Sequence, residues 1–446
     1  MRTPLLAAAL AACPTLAQDC PWDLLPTPNP GGSLILFGLD ADDQGNVWTA
    51  GARTVFVQPA GIDQFNYIAR WNGSEWVETP APQPSTLRLY QGLSDIIALP
   101  SGEAIAVGGY NPPAGSSQAQ SMRWNGSSWS LMNSPSYAGG SGFDCIGRAG
   151  DTVWAGGHKW SELPPPAATT YPMAARRNGN SWEVVFVPPL AITGGRSYNY
   201  IRAIEGAGED DAWAAGIAQE TGFIFGPAAM MIRWDGQEWT QYDIFPLLDS
   251  TDFSGLSDLA VLTSDDVWAA GWDYDLSRQQ TIPLILHWDG SAWSKSPVPV
   301  FDESAELRAI AARAPDDVYA AGTQTDLNGF PHALVLHFDG TAWTEVPQDA
   351  VVDYGTWFRA MDFDADTLWV AGQANNLSEG ITQRREPCDT ACSADFNADG
   401  TVNFFDISDF IDAFSTQDPA TDLDDNGQSN FFDVAAFIDA YNAGCP

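Results

Sequence analysis

The chain has 446 residues and a formal charge of −38, from 57 acidic against 19 basic groups, with 45% hydrophobic and 12% aromatic residues. That apolar content can fill a core and excludes a disordered acidic chain. The charge argues against nucleic acid and anionic membrane as partners, since both need a basic patch, and it suits a salty extracellular medium that screens self-repulsion.

Length alone suggests about three domains. Charge is uneven along the chain: residues 388–446 hold twelve Asp and no Lys or Arg, so they carry −12 and the remainder −26. At the start, Met1-Arg2, apolar Leu5 to Ala12 and small residues to Ala17 read as a signal peptide over 1–17. Leu10-Ala11-Ala12-Cys13 also resembles a bacterial lipobox, which would make the protein a lipoprotein at Cys13. No later apolar run reaches the roughly 18 residues of a spanning helix, so a secreted or cell-surface bacterial protein is expected. Cleavage leaves Cys20, Cys145, Cys388, Cys392 and Cys445, an odd count that permits disulfides and leaves one thiol over.

A repeat dominates residues 18–387. One half ends in Ala-Gly or a variant: Val47-Trp48-Thr49-Ala50-Gly51, Ile105-Ala106-Val107-Gly108, Val153-Trp154-Ala155-Gly156 and Ala212-Trp213-Ala214-Ala215-Gly216. It continues as Val267-Trp268-Ala269-Ala270-Gly271, Val318-Tyr319-Ala320-Ala321-Gly322 and Leu368-Trp369-Val370-Ala371-Gly372. The period is about 53 residues, near kelch-like propeller spacing. The other half is a hairpin around Asn72-Gly73, Asn125-Gly126, Asn178-Gly179, Asp235-Gly236, Asp289-Gly290 and Asp339-Gly340, the strongest short hairpin signal and one expected to form type I′ turns. Four short strands per repeat describe a propeller blade, so the expected fold is an all-β seven-bladed β-propeller.

The first half occurs seven times and the hairpin six. Trp22-Asp23-Leu24-Leu25-Pro26 resembles Trp76-Val77-Glu78-Thr79-Pro80, so the N-terminus is expected to supply the outer strand of blade seven and close the ring. Cys20 and Cys388 both fall at the hairpin tip of that blade, and a Cys20–Cys388 disulfide would seal it. Sixteen of the nineteen Trp occupy repeat positions and are assigned to packing between blades. Trp160, Trp272 and Trp357 do not. They fall in the long second-to-third-strand and inter-blade segments such as 52–66, 158–171 and 188–200, which open on one face. Trp160, Trp272, Tyr274 and Trp357 are the ligand-binding candidates there, suited to stacking on a sugar or gripping a peptide, with Trp272-Asp273-Tyr274-Asp275 foremost.

Support for an enzyme is thin. No HExxH, GxSxG or phosphate loop occurs, and no carboxylate pair stands out for glycoside cleavage. Asp210-Asp211, Asp265-Asp266 and Asp316-Asp317 recur at one repeat position and read as turn residues. His287 and His337 sit where other blades have Arg70, Arg123, Arg176 and Arg233, so they read as framework. The Asp-Gly hairpin departs from the sialidase Asp-box, which has another residue between Asp and Gly.

Residues 388–446 change character. Asp395, Asn397, Asp399, Thr401, Asn403 and Asp406 place oxygen donors at positions 1, 3, 5, 7, 9 and 12 of a calcium loop, with Gly400 at position 6. A duplicate begins 27 residues later with Asp422, Asp424, Asn426, Gln428, Asn430 and Asp433. Each loop runs into a helix, expected over 404–414 and 431–441. Two Ca2+ ions are therefore the expected cofactors.

This duplicated segment resembles a dockerin of the GC type, carrying Asp rather than Glu at position 12 and ending Asn442-Ala443-Gly444-Cys445-Pro446. The resemblance implies a small all-α domain with two EF-hand-type calcium loops and a cohesin-like protein or cell-surface anchor as partner. It also implies recognition through positions 10 and 11, here Phe404, Phe405, Phe431 and Phe432. Characterised cellulosomal dockerins often have small hydroxyl residues there, so a different cohesin is implied. Alternatively, one Phe of each pair anchors its helix in the core. A Cys392–Cys445 bridge would clasp this small unit. The propeller's Asp-Val-Trp-Ala-Ala-Gly and Trp-Asp-Gly-Ser-x-Trp units resemble kelch-type repeats of bacterial extracellular proteins, which implies a fold and leaves activity open. Two domains result, since seven blades make one ring. The expected function is non-catalytic binding or scaffolding of glycan or protein, the alternative being a polysaccharide-active enzyme, hydrolase or lyase, targeted by its dockerin.

Overall fold

The computed structural model describes residues 22–29, 31–42, 45–57, 61–84, 91–112, 114–161, 170–188, 197–220, 226–250, 253–348, 355–374, 379–385, 394, 396–397, 402–423 and 428–443. Residues 1–17 with Cys13, the paired-cysteine candidates Cys20, Cys388, Cys392 and Cys445, and the loop residues Asp395, Asp399, Thr401, Asp424 and Asn426 lie outside them. Contacts divide the chain into two units, one spanning Pro21–Arg385 and one holding the chain from Glu386.

In the first unit, alternating apolar residues build seven four-stranded antiparallel blades among the described residues. Their innermost strands are Ser33–Ala41, Gln91–Ala98, Ser141–Ala149, Ser197–Gly208, Gly255–Thr263, Ala305–Ala314 and Trp357–Asp364. Each contacts the next, and the seventh returns to the first, so the blades close a β-propeller. Blades three and four are also joined by two parallel bridges, Ala149 to Gly206 and Thr170 to Tyr198. The outermost strand of blade seven is Asp23–Pro26, paired antiparallel with Glu379–Arg385. Opposite ends of the chain thus share one sheet. Thr382 donates to the Leu25 carbonyl at 2.8 Å, and Thr27 to that of Gly380 at 2.7 Å.

Indoles fill the gaps between blades. Trp154 of blade three meets Trp234 and Trp239 of blade four at 5.6 and 5.4 Å, mostly edge to face. Trp213 repeats this with Trp288 and Trp293, and Trp369 with Trp71 and Trp76 across the closure. Of the sixteen repeat tryptophans, Trp124 and Trp182 are half-buried and the others buried. Each such pair adds about 0.5–1.5 kcal/mol beyond area burial.

The Asn-Gly and Asp-Gly hairpins form, but not as type I′ turns. Asn72 accepts hydrogen bonds from the Ser74 and Glu75 amides at 2.9 Å, and Asp289 and Asp339 do the same in their blades. Only the glycine takes positive φ, for example +96° at Gly73 and +88° at Gly290. The side-chain oxygen stands in for a backbone turn acceptor, so the Asx residue stays right-handed. The Asp-Asp pairs divide their work: a Cβ on Gly236 would stand 2.6 Å from Asp210, while Asp211 holds Arg233 at 2.8 Å. Likewise Asp266 holds His287 and Asp317 holds His337, both at 2.8 Å. These histidines are framework.

Every innermost strand carries a β-bulge at one equivalent place. The extra residues are Phe37, Ser94, Asp144, Arg202, Ser257, Arg308 and Arg359. Opposite each bulge stands the repeat glycine of the second strand. A Cβ on Gly51, Gly216 or Gly372 would lie 2.0, 1.9 or 1.9 Å from a carbonyl oxygen of the bulged strand. In blade three the residue so placed is Gly157, 2.2 Å from the Gly142 carbonyl, so the repeat unit there ends one residue later than Gly156.

Gly216→Ala should therefore destabilise the propeller by about 3 kcal/mol or more, because backbone cannot yield to the new methyl. Gly208→Ala, which meets nothing within 4 Å, should leave the melting temperature nearly unchanged. Thermal melts of the two full-length variants check the contrast.

Candidate functional site

The bulges aim their extra side chains inward. All seven line a central channel holding a cavity of about 880 Å3, together with Asp40, Asp95, Glu205, Asp258 and Asp362. Bulges commonly re-aim side chains in this way. Along each strand the bulge precedes the position of Asp40, Glu205 and Asp362 by three residues, roughly 10 Å of strand.

The carboxylates brace neighbouring blades. Asp95 accepts from its own Ile96 amide and from Ile146 in blade three, each at 2.9 Å. Asp258 does the same with Leu259 and with Ile310 of blade six, each at 2.9 Å. Asp40 accepts from Ala98 of blade two at 2.6 Å, and Asp362 from Ala41 of blade one at 2.8 Å. Glu205 is bonded by the Val261 amide of blade five. Crowding such groups in a protein-lined channel disfavours their charge. Burial pushes Asp95 up to about 7, Glu205 to about 8 and Asp258 to about 8, with neighbouring carboxylates adding to it. Burial also raises Asp362 to about 6 and Asp40 well above the carboxylate range.

The bulge level is basic instead. Arg202, Arg308 and Arg359 converge there from blades four, six and seven. Arg308 bonds Glu306 through Nε and a terminal nitrogen at 2.9 and 2.6 Å. Arg359 lies over the Phe37 ring at 5.2 Å. Burial lowers Arg202 and Arg359, and in both the Arg308 charge adds to it. Beside them His158 bonds Asp144 at 2.7 Å and packs on Tyr200 at 4.7 Å.

The four aromatic candidates stand on three blades, Trp272 and Tyr274 sharing one strand, and are half-buried. Trp160 approaches His158 at 6.4 Å. Trp272 lies across Gly255, where a Cβ would stand 3.0 Å from the indole nitrogen. Trp357 opens the innermost strand of blade seven, two residues before Arg359. Tyr274 packs against Phe253 at 5.6 Å. Between Trp272 and Tyr274, Asp273 is fully buried and structural: it accepts from the Asp249, Ser250 and Tyr274 amides and from Lys295. Asp275 caps its own turn through Ser277 and Arg278. The segment 52–66, read as a long loop, is mostly hairpin: Val47–Val57 pairs with Gly61–Trp71. Cys145 is buried, with its thiol raised well above the ordinary value by burial, and is a packing residue.

The channel arginines and carboxylates were not singled out from sequence. A signal exists: five of the seven innermost strands read apolar–x–small–apolar, as in Ile201-Arg202-Ala203-Ile204 and Phe358-Arg359-Ala360-Met361, and blades two and five put Asp95 and Asp258 at the small position.

In the C-terminal unit, each helix starts at a loop's end. Asp406 is buried and accepts from the Asn397 and Asn403 amides at 3.2 and 2.8 Å. Asp433 is its counterpart, accepting from Leu423 at 2.9 Å and Asn430 at 2.6 Å. Asn403 and Asn430 cap the helices Phe404–Ser415 and Phe431–Ala443 by accepting from the Phe405 and Phe432 amides at 2.9 Å. Phe410 and Phe437 stack at 4.1 Å as the centre of the small core. Phe404, Phe405, Phe431 and Phe432 are 66–76% exposed, so neither pair supplies the helix anchor. Asp422 and Gln428 are the other described loop residues of the donor set.

No protein-family model matches the chain, and no curated protein is similar to it. Solved structures similar to it include virginiamycin B lyase from Staphylococcus aureus with quinupristin, at 14% identity and a TM-score of 0.46, covering 82% of this chain and all of that one. A chain of the mitotic checkpoint complex is 9% identical with a TM-score of 0.47, covering 87% of this chain and all of that one. YCF48 bound to D1 peptide is 13% identical with a TM-score of 0.34, covering 83% and 97%. Among the described residues no helix is long and apolar enough to cross a membrane.

The channel carboxyls hold protons more tightly in the folded chain than in the unfolded one. Their contribution to stability is complete below about pH 4 and is lost as pH rises through 6 to 8. The propeller's melting temperature should fall by roughly 5 °C between pH 5 and 8, and Glu205→Gln should flatten that slope. Scanning calorimetry across this range checks both; a melting temperature that rises with pH would contradict the assignment.

Proposed function

We propose that the protein is a secreted, dockerin-anchored β-propeller that binds a glycan or protein ligand without catalysis, held at a cell surface or in an extracellular complex. The observation that carries it is the C-terminal pair of loop-helix units. Their matched Phe404-Phe405 and Phe431-Phe432 stand exposed at helix starts, where an apolar partner surface can meet them. A second apolar feature lies between the helices, a groove of about 270 Å3 lined by Ile407, Ile411, Phe414, Val434, Ile438 and Tyr441 around the Phe410–Phe437 stack.

The donor set fits calcium. It is all oxygen, as a hard cation requires, and the buried Asp406 and Asp433 carboxylates are each held by two backbone amides that draw their loop together. Asp395, Asn397, Asp399, Thr401, Asn403 and Asp406 would hold one ion, and Asp422, Asp424, Asn426, Gln428, Asn430 and Asp433 the other. Position 9 commonly acts through water, which is compatible with the capping by Asn403 and Asn430. The ion would offset carboxylate repulsion and order the loops. A cohesin-like partner would then meet the helices. On the propeller, Trp160, Trp272, Tyr274 and Trp357 would contribute to ligand binding.

The alternative, a polysaccharide-active enzyme, draws on channel carboxyls raised towards neutrality, the range of a general acid. Asp95 and Asp258 have both oxygens engaged by backbone amides, which favours a bracing role.

Full-length protein titrated with Ca2+ should take up two ions, and chelator should remove helical circular dichroism while the sheet signal persists. Asp406→Ala should abolish one of the two binding events. Failure to bind calcium at millimolar concentration would overturn the anchor. Release of reducing ends from plant or algal polysaccharide would favour the enzyme.

A further inference from the structure

In a chain with 57 acidic residues, arginines elsewhere readily find carboxylates. Arg123 and Arg177 share Glu103, Arg233 holds Asp211, Arg313 holds Asp317 and Asp366, and Arg384 holds Asp23. Four arginines line the channel, exposed Arg148 and, at the bulges, Arg202, Arg308 and Arg359, and two of the bulge arginines are exceptions. Among the described residues Arg202 and Arg359 make no ion pair, and the Arg359 Nε is buried without a hydrogen-bond partner. Among the described residues the only carboxylate bonded to the triad is Glu306, on Arg308. Asp144, the other acid at this level, is engaged by His158. The group thus carries three positive charges against one bonded carboxylate.

Leaving guanidinium donors half-buried and unmatched is costly, and like charges add to the cost. Burial and mutual repulsion lower Arg202 and Arg359 for this reason. The deeper carboxylates do not relieve it. The cation acting on Asp40 and Glu205 is Arg148, and the anions acting on Arg202 are Asp144 and Glu306. The channel is therefore polarised, with three arginines against Asp144 and Glu306 at the bulges and the five bracing carboxyls one to three residues beyond them.

The channel reaches exposed Pro100 and Arg148 past the ends of the innermost strands, and the long-loop face lies at its other end. The bulges lie towards the start of each innermost strand, the end at which the second and third strands also turn, as at Val57–Gly61 in blade one. Tyr200, beside Arg202, is part of the lining, and His158 and Trp160 follow outward from it by ring contacts.

We propose that Arg202, Arg308 and Arg359 form the receptor for a compact oxyanion, a carboxylate or a sulfate group, carried by the ligand that enters the channel from the long-loop face. Planar guanidinium forks match both groups by paired N–H donors. Asp95 and Asp258, one residue past their bulges, and Asp40, Glu205 and Asp362, three residues past theirs, stop the anion at the bulges. One oxyanion is a demand unlike that of a polyanion, so the global charge of −38 does not oppose it within a Debye length of about 10 Å. The inference rests on the propeller being the ligand-binding unit and adds the chemical class of its ligand.

The test is titration calorimetry on the full-length protein and on the Arg202→Gln/Arg359→Gln variant, at constant ionic strength held with chloride. Sodium sulfate and sodium glucuronate are the probes, and glucose is the neutral control. Expected is saturable millimolar binding of at least one anion, none of glucose, and a loss of at least about tenfold in affinity in the variant. Sulfate alone points to a sulfate ester, glucuronate alone to a carboxylate. Should the variant not fold, Arg359→Lys serves in its place: it keeps the charge, loses the fork, and should weaken binding several-fold. Absence of anion binding, or equal affinity in the variant, overturns the proposal. A neutral oligosaccharide bound equally by both proteins would overturn it while leaving the binding function of the propeller standing.

Discussion

The propeller turns on one crowded junction repeated in every blade. Each innermost strand has one residue more than its neighbour needs, and the resulting bulge carries a backbone carbonyl to about 2 Å from where a Cβ would stand on the facing residue. Only glycine fits there. The repeated glycine is thus the imprint, on the second strand, of a distortion in the first. That distortion turns a side chain of each innermost strand into the channel, so the lining and the repeat have a single steric origin.

Given that geometry, electrostatics decides what the channel is. Carboxylates at Asp40, Asp95, Glu205, Asp258 and Asp362 reach sideways to amides of the next blade and tie five of the seven junctions. Between blades three and four a backbone bridge links the innermost strands instead. The bracing groups are confined with one another, and burial opposes their charge. Guanidinium groups cluster at the bulges with one bonded carboxylate among three. A globally acidic protein thereby presents a locally basic recess, because the bulge, and not the average composition, selects which side chains meet.

The C-terminal unit follows a different economy of contacts. Its core is little more than Phe410 on Phe437 with Phe396 at their edges, at 5.3 and 6.4 Å. Such a core is small for its length. Asp406 and Asp433 gather the loop amides. Four phenylalanines remain outside that core, so the unit's largest apolar groups serve its surface.

Much of this was legible in the residues. Period, strand count, the framework histidines and the tryptophan packing follow from local patterns: alternation, turn chemistry and repetition each act over a few residues. The similarity of Trp22-Asp23-Leu24-Leu25-Pro26 to an outer strand located the pairing with Glu379–Arg385. What local pattern could not supply was any property made by several blades at once. Arg202, Arg308 and Arg359 lie about 50 and 100 residues apart and are adjacent only because a closed ring brings equivalent positions to its axis. The same holds for the raised carboxyls, whose shifts come first from burial in the closed ring and then from carboxylates of other blades, and for Asp273, buried by a segment 24 residues before it. The sequence by itself determined the repeat, the ring and the oxygen-rich loops; the tertiary structure alone decided which charges face one another, because burial and proximity across blades are properties of the closed ring.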